Sequence, residues 1–76
     1  MDYKERIVSD DKVMLGKPVI KGTRITVELL LRKLSEGITI KELLSMYSKL
    51  KKEDVYACLT YASDVIGNEE MLVSKK

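Results

Sequence analysis

From residue 26 onward, apolar residues recur at helical spacing, whereas before it they fall in short clusters of extended character. Val27, Leu30, Leu31 and Leu34 stand at i, i+3, i+4 and i+7, the buried stripe of an amphipathic helix. Thr26 precedes that stripe as an N-cap, and Ile25 and Leu30 have the spacing of a hydrophobic staple. Gly37 falls where a left-handed residue would end the helix, with Arg32 and Lys33 near the end that favours cations. The same grammar repeats at once. Thr39 to Glu42 fits the S/T-x-x-E capping box, Ile38 and Leu43 form the staple pair, and Ile40, Leu43, Leu44 and Tyr47 mark an inner face. A third helix is expected over about 52–66, with Val55, Cys58, Leu59, Ala62 and Ile66 inward and Gly67-Asn68 ending it. Its start is weaker: Lys51 stands where a Ser, Thr or Asp cap would be expected, and Glu53 and Asp54 compensate in part through the helix dipole.

The N-terminal third reads as extended pieces joined by turns. Arg6-Ile7-Val8-Ser9 is a strand candidate, and Asp10-Asp11-Lys12 is the turn after it. The apolar triplet Val13-Met14-Leu15, ended by Gly16, is expected to pair with Ile7-Val8. Pro18 fixes its own φ and pushes Lys17 toward an extended conformation, so Pro18-Val19-Ile20 reads as a strand. Lys21-Gly22 then supplies a two-residue turn, which lets Thr23-Arg24-Ile25 run back beside it. None of these pieces could stand as an independent sheet; they must lie on the helices or on another subunit. The corner between the first two helices is tight and a third helix follows, the pattern of a helix-turn-helix unit. The sequence thus predicts one mainly α domain over 1–76. It comprises a short N-terminal β ribbon over 7–25, a three-helix, helix-turn-helix-like unit (homeodomain-like or winged) over 26–66 and a tail over 67–76. The tail carries Met71-Leu72-Val73 between charges, and is either disordered or ordered against a partner.

Composition narrows the picture. Seventy-six residues with neither Trp nor Phe must build an aliphatic core close to the size where one core barely suffices, so a homodimer or another protein partner is expected. Fourteen basic and twelve acidic residues leave a net charge of +2, far from the footprint of a chain that holds nucleic acid by charge alone. The lone Cys58 excludes an internal disulfide, and the absence of His removes any Cys/His zinc set, so no metal or cofactor is expected. No apolar run approaches the length of a membrane span and the first twelve residues lack the apolar stretch of a signal peptide; the expected compartment is the cytoplasm.

The run GKPVIKGTRITVELLL, preceded by IVSDD and followed by EGITIKELLSMY and EDVYACLTYA, resembles the small prokaryotic domain-of-unknown-function family numbered 433 over roughly residues 7 to 63. That resemblance implies a compact helix-turn-helix-like domain that acts as an antitoxin-like partner of a PIN-like toxin nuclease. Members of the family often carry Thr at the position of Lys51, where this chain departs.

Candidate chemistry is sparse. Without His, a Gly-rich phosphate loop or a nucleophile beside a base, no catalytic residue is expected. Asp10-Asp11 reads as a turn and Cys58 as a small packing residue. Lys17, Lys21 and Arg24 make the most one-sidedly positive segment, suited to phosphates or to the acidic pocket of a nuclease. Arg24 either serves such a partner or pairs with Glu28 or local backbone. Lys51 and Lys52, with Lys49, either meet a phosphate at the third helix's N-terminus or form a solvated loop. The expected outer face of that helix holds Glu53, Tyr56, Ala57, Thr60, Tyr61 and Asp64, with no base-reading cation. Tyr56, Thr60 and Tyr61 suit a protein partner, the alternative being ordinary half-buried tyrosines. Two functions therefore stand side by side: a non-catalytic antitoxin-like binding module, with or without autoregulatory DNA binding, and a stand-alone DNA-binding regulator. The capping box gives a first test. Thr39→Ala removes an N-cap hydroxyl and should lower stability by about 1 kcal/mol, read as a shifted denaturant midpoint at unchanged slope.

Overall fold

A computed structural model of the chain describes residues 3–68. A 3-10 turn at Tyr3–Glu5 leads into strand β1 (Ile7–Val8), and strand β2 (Val19–Ile20) is followed by helices α1 (Val27–Ser35), α2 (Ile40–Met46) and α3 (Lys52–Gly67). The result is a mainly helical domain, three helices behind a two-stranded antiparallel sheet. The register pairs Ile7 with Ile20 and Val8 with Val19. Ile7, Ile20, Val27, Leu30, Leu43, Leu50, Val55, Ala57 and Cys58 form one buried cluster, so sheet and helices share a single core.

The helix ends follow the sequence closely. Thr26 Oγ1 accepts from the Leu29 N–H (3.0 Å) at the start of α1. At its end Gly37 takes φ 95°, the Ile38 N–H returns to the Lys33 carbonyl and the Gly37 N–H to the Leu34 carbonyl, a Schellman motif. The capping box of α2 is complete: the Glu42 N–H donates to Thr39 Oγ1 (3.1 Å), and the Thr39 N–H donates to Glu42 Oε1 (2.8 Å). That second bond, followed by the Thr39 hydroxyl, holds the Glu42 carboxyl below the ordinary carboxylate range.

Two readings are corrected. Val13-Met14-Leu15 does not pair with β1. Met14, Leu15 and Gly16 take φ of 50°, 60° and 82°, a left-handed run that no ladder can contain. The loop from Asp10 closes on itself through a single Asp10–Val13 bridge, the Asp10 side chain accepting from the Lys12 N–H, and the strand that reaches β1 is β2. Leu15 is left 92% exposed. The ribbon between Pro18-Ile20 and Thr23-Ile25 survives as one Val19–Thr26 bridge, with the Ile20 N–H donating to the Ile25 carbonyl (2.9 Å), so β2 lies between β1 and this returning segment.

The second correction concerns α3, whose buried side is rotated from the expected stripe. Asp54 and Ala57 are buried beside Val55 and Cys58, while Leu59 and Ile66 are 44% and 63% exposed. The cause is a polar contact rather than a hydrophobic one. Asp54 is drawn inward because one carboxylate oxygen accepts from the Lys51 N–H (2.9 Å) and the other from Arg6 Nη1 (3.0 Å). It therefore supplies the N-terminal cap that Lys51 cannot, half of a capping box built backwards from N3. Asp54→Ala should cost about 2 kcal/mol, since it strands both donors in a part-buried position. Chemical denaturation of the two proteins checks this, and a loss under about 0.5 kcal/mol would show the contact to be dispensable.

Candidate functional site

Two adjoining grooves open beside the turn that joins β2 to the returning segment. The turn is fixed from within: Gly22 takes φ 80°, the Thr23 N–H and hydroxyl both donate to the Ile20 carbonyl (3.0 and 2.8 Å), and the Ile25 N–H donates to Thr23 Oγ1 (2.9 Å). Lys21 and Arg24 flank it, exposed. Across the grooves lies the loop between α2 and α3. Leu50 is buried there and its N–H donates to the Tyr47 carbonyl (3.0 Å), which leaves Ser48 and Lys49 standing out.

The larger groove, about 790 Å³, has Val8, Val13, Val19, Ile25, Met46 and Tyr47 as its apolar lining, with Arg24, Lys49 and Asp10 also bordering it. The smaller, about 340 Å³, is bordered by Lys21, Lys49 and Lys51 together with Glu5 and the Arg6–Asp54 pair. Gly22, Thr23 and Lys49 belong to both. Among the described residues, the side chains of Lys21, Arg24, Lys49 and Lys51 make no ion pair, so four cations surround one turn with their charge uncommitted.

The basic residues named from sequence are thus divided. Lys21 and Arg24 meet Lys51 around the turn, whereas Lys52 is exposed at the start of α3 and borders neither groove. Lys17 is committed elsewhere. Its ammonium sits 3.2 Å from Glu28 and Arg32 sits 3.4 Å from the other Glu28 oxygen; Lys17 first and Arg32 second hold that carboxyl below its ordinary range. Arg24 does not pair with Glu28, whose two carboxylate oxygens are taken by Lys17 and Arg32. The residues not singled out as a site in the sequence are Met46 and Tyr47, while Lys49, read there beside Lys51 and Lys52, borders both grooves. Met46 carried one signal, being an apolar residue off the inner stripe of α2 and immediately before a polar loop.

On α3, Tyr56 is exposed, Thr60 is half-buried with its hydroxyl donating to the Tyr56 carbonyl (3.0 Å), and Tyr61 is half-buried. Tyr61 packs edge-on to Tyr3, ring centroids 5.3 Å apart and planes at 87°, and borders a third hollow of about 450 Å³ with Pro18, Leu31 and the Glu28–Arg32 pair. From Glu53 to Gly67 the helix contains no Lys, Arg, Asn or Gln.

The family model described as "Protein of unknown function (DUF433)" matches residues 7–62. The chain belongs to DUF433. Among solved structures, the 2.00 Å crystal structure of a DUF433 member protein from Anabaena variabilis is similar, with TM-score 0.77 and 28% identity, covering 92% of this chain and 69% of that one. An uncharacterized protein of Archaeoglobus fulgidus is 75% identical over 24 residues, spanning 32% of this DUF433 chain and 67% of its own. No helix among the described residues is long and apolar enough to cross a membrane.

Cys58 is buried on α3, where burial first and the negative charge of Asp54 second push its thiol up to about 12 from 9.0. The unfolded chain therefore ionises first, and this thiol's contribution to stability is present below pH 9 and lost as pH rises toward 12. A thiol reagent at pH 8 should leave Cys58 unmodified in the folded DUF433 chain and react fully once denaturant is added. Comparable rates in both states would place the thiol outside the core.

Proposed function

We propose that this DUF433 chain is a non-catalytic binding module, the antitoxin-like partner of a PIN-like toxin nuclease, acting in the cytoplasm as a homodimer. The observation that carries it is the cluster of Lys21, Arg24, Lys49 and Lys51 around one turn, in no ion pair among the described residues and adjoining an apolar groove. A nuclease that binds metal through carboxylates presents a surface of opposite, complementary sign. The non-catalytic reading is supported by the lack of His and by a single thiol that is buried and held protonated. Sequence-specific DNA recognition has less support. The outer face of α3 offers acids, Tyr56 and Leu59 where base edges would call for Arg, Lys, Asn or Gln, so Lys51 and Lys52 would supply phosphate contacts only.

Purification of the tagged full chain from its native cells tests the reading. A small nuclease should co-elute and lose activity in the complex, and Arg24→Glu combined with Lys49→Glu should weaken capture at least tenfold, about 1.4 kcal/mol. A gel shift against the chain's own upstream region should show weak binding of the isolated protein, nearly independent of sequence. A sequence-specific DNA complex at nanomolar protein and physiological salt, with no protein co-eluting, would overturn the proposal in favour of a stand-alone regulator.

A further inference from the structure

We infer that the larger groove recognises a peptide segment in which aliphatic side chains stand next to carboxylates. Arg24 and Lys49 take the acids at the rim, and Val13, Ile25 and Met46 take the aliphatic groups below. This rests on the binding-module reading and specifies what the module binds. Three observations favour such an occupant. The groove is open, and its volume of about 790 Å³ lies within the roughly 300–1,000 Å³ typical of ligand sites, enough for a few residues. Its apolar lining is aliphatic except for Tyr47, and Met46 is substantially exposed with a flexible side chain that adapts to irregular apolar partners. Arg24 and Lys49 make no internal ion pair among the described residues, so a carboxylate from outside would meet a cation with no competitor.

The same features disfavour nucleic acid in this groove. A continuous polyanion would have to pass Asp10, whose carboxylate is fixed on the border by the Lys12 N–H (2.9 Å). Bases would find one half-buried tyrosine to stack on and an aliphatic wall otherwise. A segment with one or two carboxylates between leucine-like side chains satisfies both chemistries and avoids Asp10.

Fluorescence anisotropy of the full chain with a fluorescein-labelled, C-terminally amidated pentapeptide Leu-Asp-Leu-Asp-Leu tests the inference. The Leu–Asp peptide should bind, and the Leu–Asn and Ser–Asp versions should each bind at least tenfold more weakly. Arg24→Ala with Lys49→Ala should cost a similar factor, and Met46→Ser about threefold; all three positions are exposed, and circular dichroism verifies that the fold is retained. Absence of Leu–Asp binding up to millimolar peptide, equal binding of Leu–Asp and Leu–Asn, or indifference to Arg24 and Lys49 would each overturn it. So would displacement of the peptide by a duplex that binds more tightly through Arg24. The two readings separate cleanly. Peptide binding as described without any co-eluting nuclease upholds the groove and refutes the antitoxin reading, whereas nuclease capture untouched by Arg24→Ala and Lys49→Ala, with no peptide binding, does the reverse.

Discussion

The Asp54 carboxylate joins the two halves of this chain. One oxygen holds the first turn of α3 through the Lys51 N–H, and the other holds Arg6, which leads directly into β1. Since Arg6 and Asp54 are 48 residues apart, the contact closes most of the chain into a loop. A charge buried this far is tolerable only because both of its oxygens are occupied. The rest follows from that constraint. Turning Asp54 inward rotates α3 so that Ala57 enters the core and Leu59 faces water, and anchoring Arg6 sets the strand against which Val19 and Ile20 pair. The smaller groove then has the Arg6–Asp54 pair already neutralised, which leaves Lys21, Lys49 and Lys51 outnumbering Glu5 on its border.

Helices α1 and α2 were legible in the sequence because each is specified locally. A capping threonine, a staple pair and a 3.6-residue apolar stripe lie within about a dozen residues, and tertiary contacts have little left to decide. Helix α3 was legible in its length but not in its orientation. Periodicity weighs hydrophobicity alone, so it counts an aspartate as outward-facing, and here the aspartate is the residue most constrained to face in. The strand partner of β1 was missed for a related reason. Val13-Met14-Leu15 is apolar enough for a strand, and nothing in side-chain composition announces three successive residues with positive φ when only the last is glycine.

The candidate site was half legible. Lys21 and Arg24 are near neighbours in sequence and flank a turn whose Gly22 marks it plainly, so their clustering could be read directly. Met46, the last residue of α2, and Lys49, from the loop after it, meet them only because α2, capped by Thr39, brings its C-terminal end to the same groove. The withdrawal of Lys17 by Glu28 depends on a separation of eleven residues bridged by a turn, a distance no helical or strand periodicity describes.

The left-handed run at Met14, Leu15 and Gly16 has a further consequence for solubility. A three-residue apolar segment beside a two-stranded sheet is the kind of edge onto which another chain adds a strand, the first step of cross-β growth. Backbone amides and carbonyls held at positive φ cannot line up with an incoming extended chain. The loop thus keeps Leu15 in water while withholding the ladder that would make such exposure an invitation to aggregate.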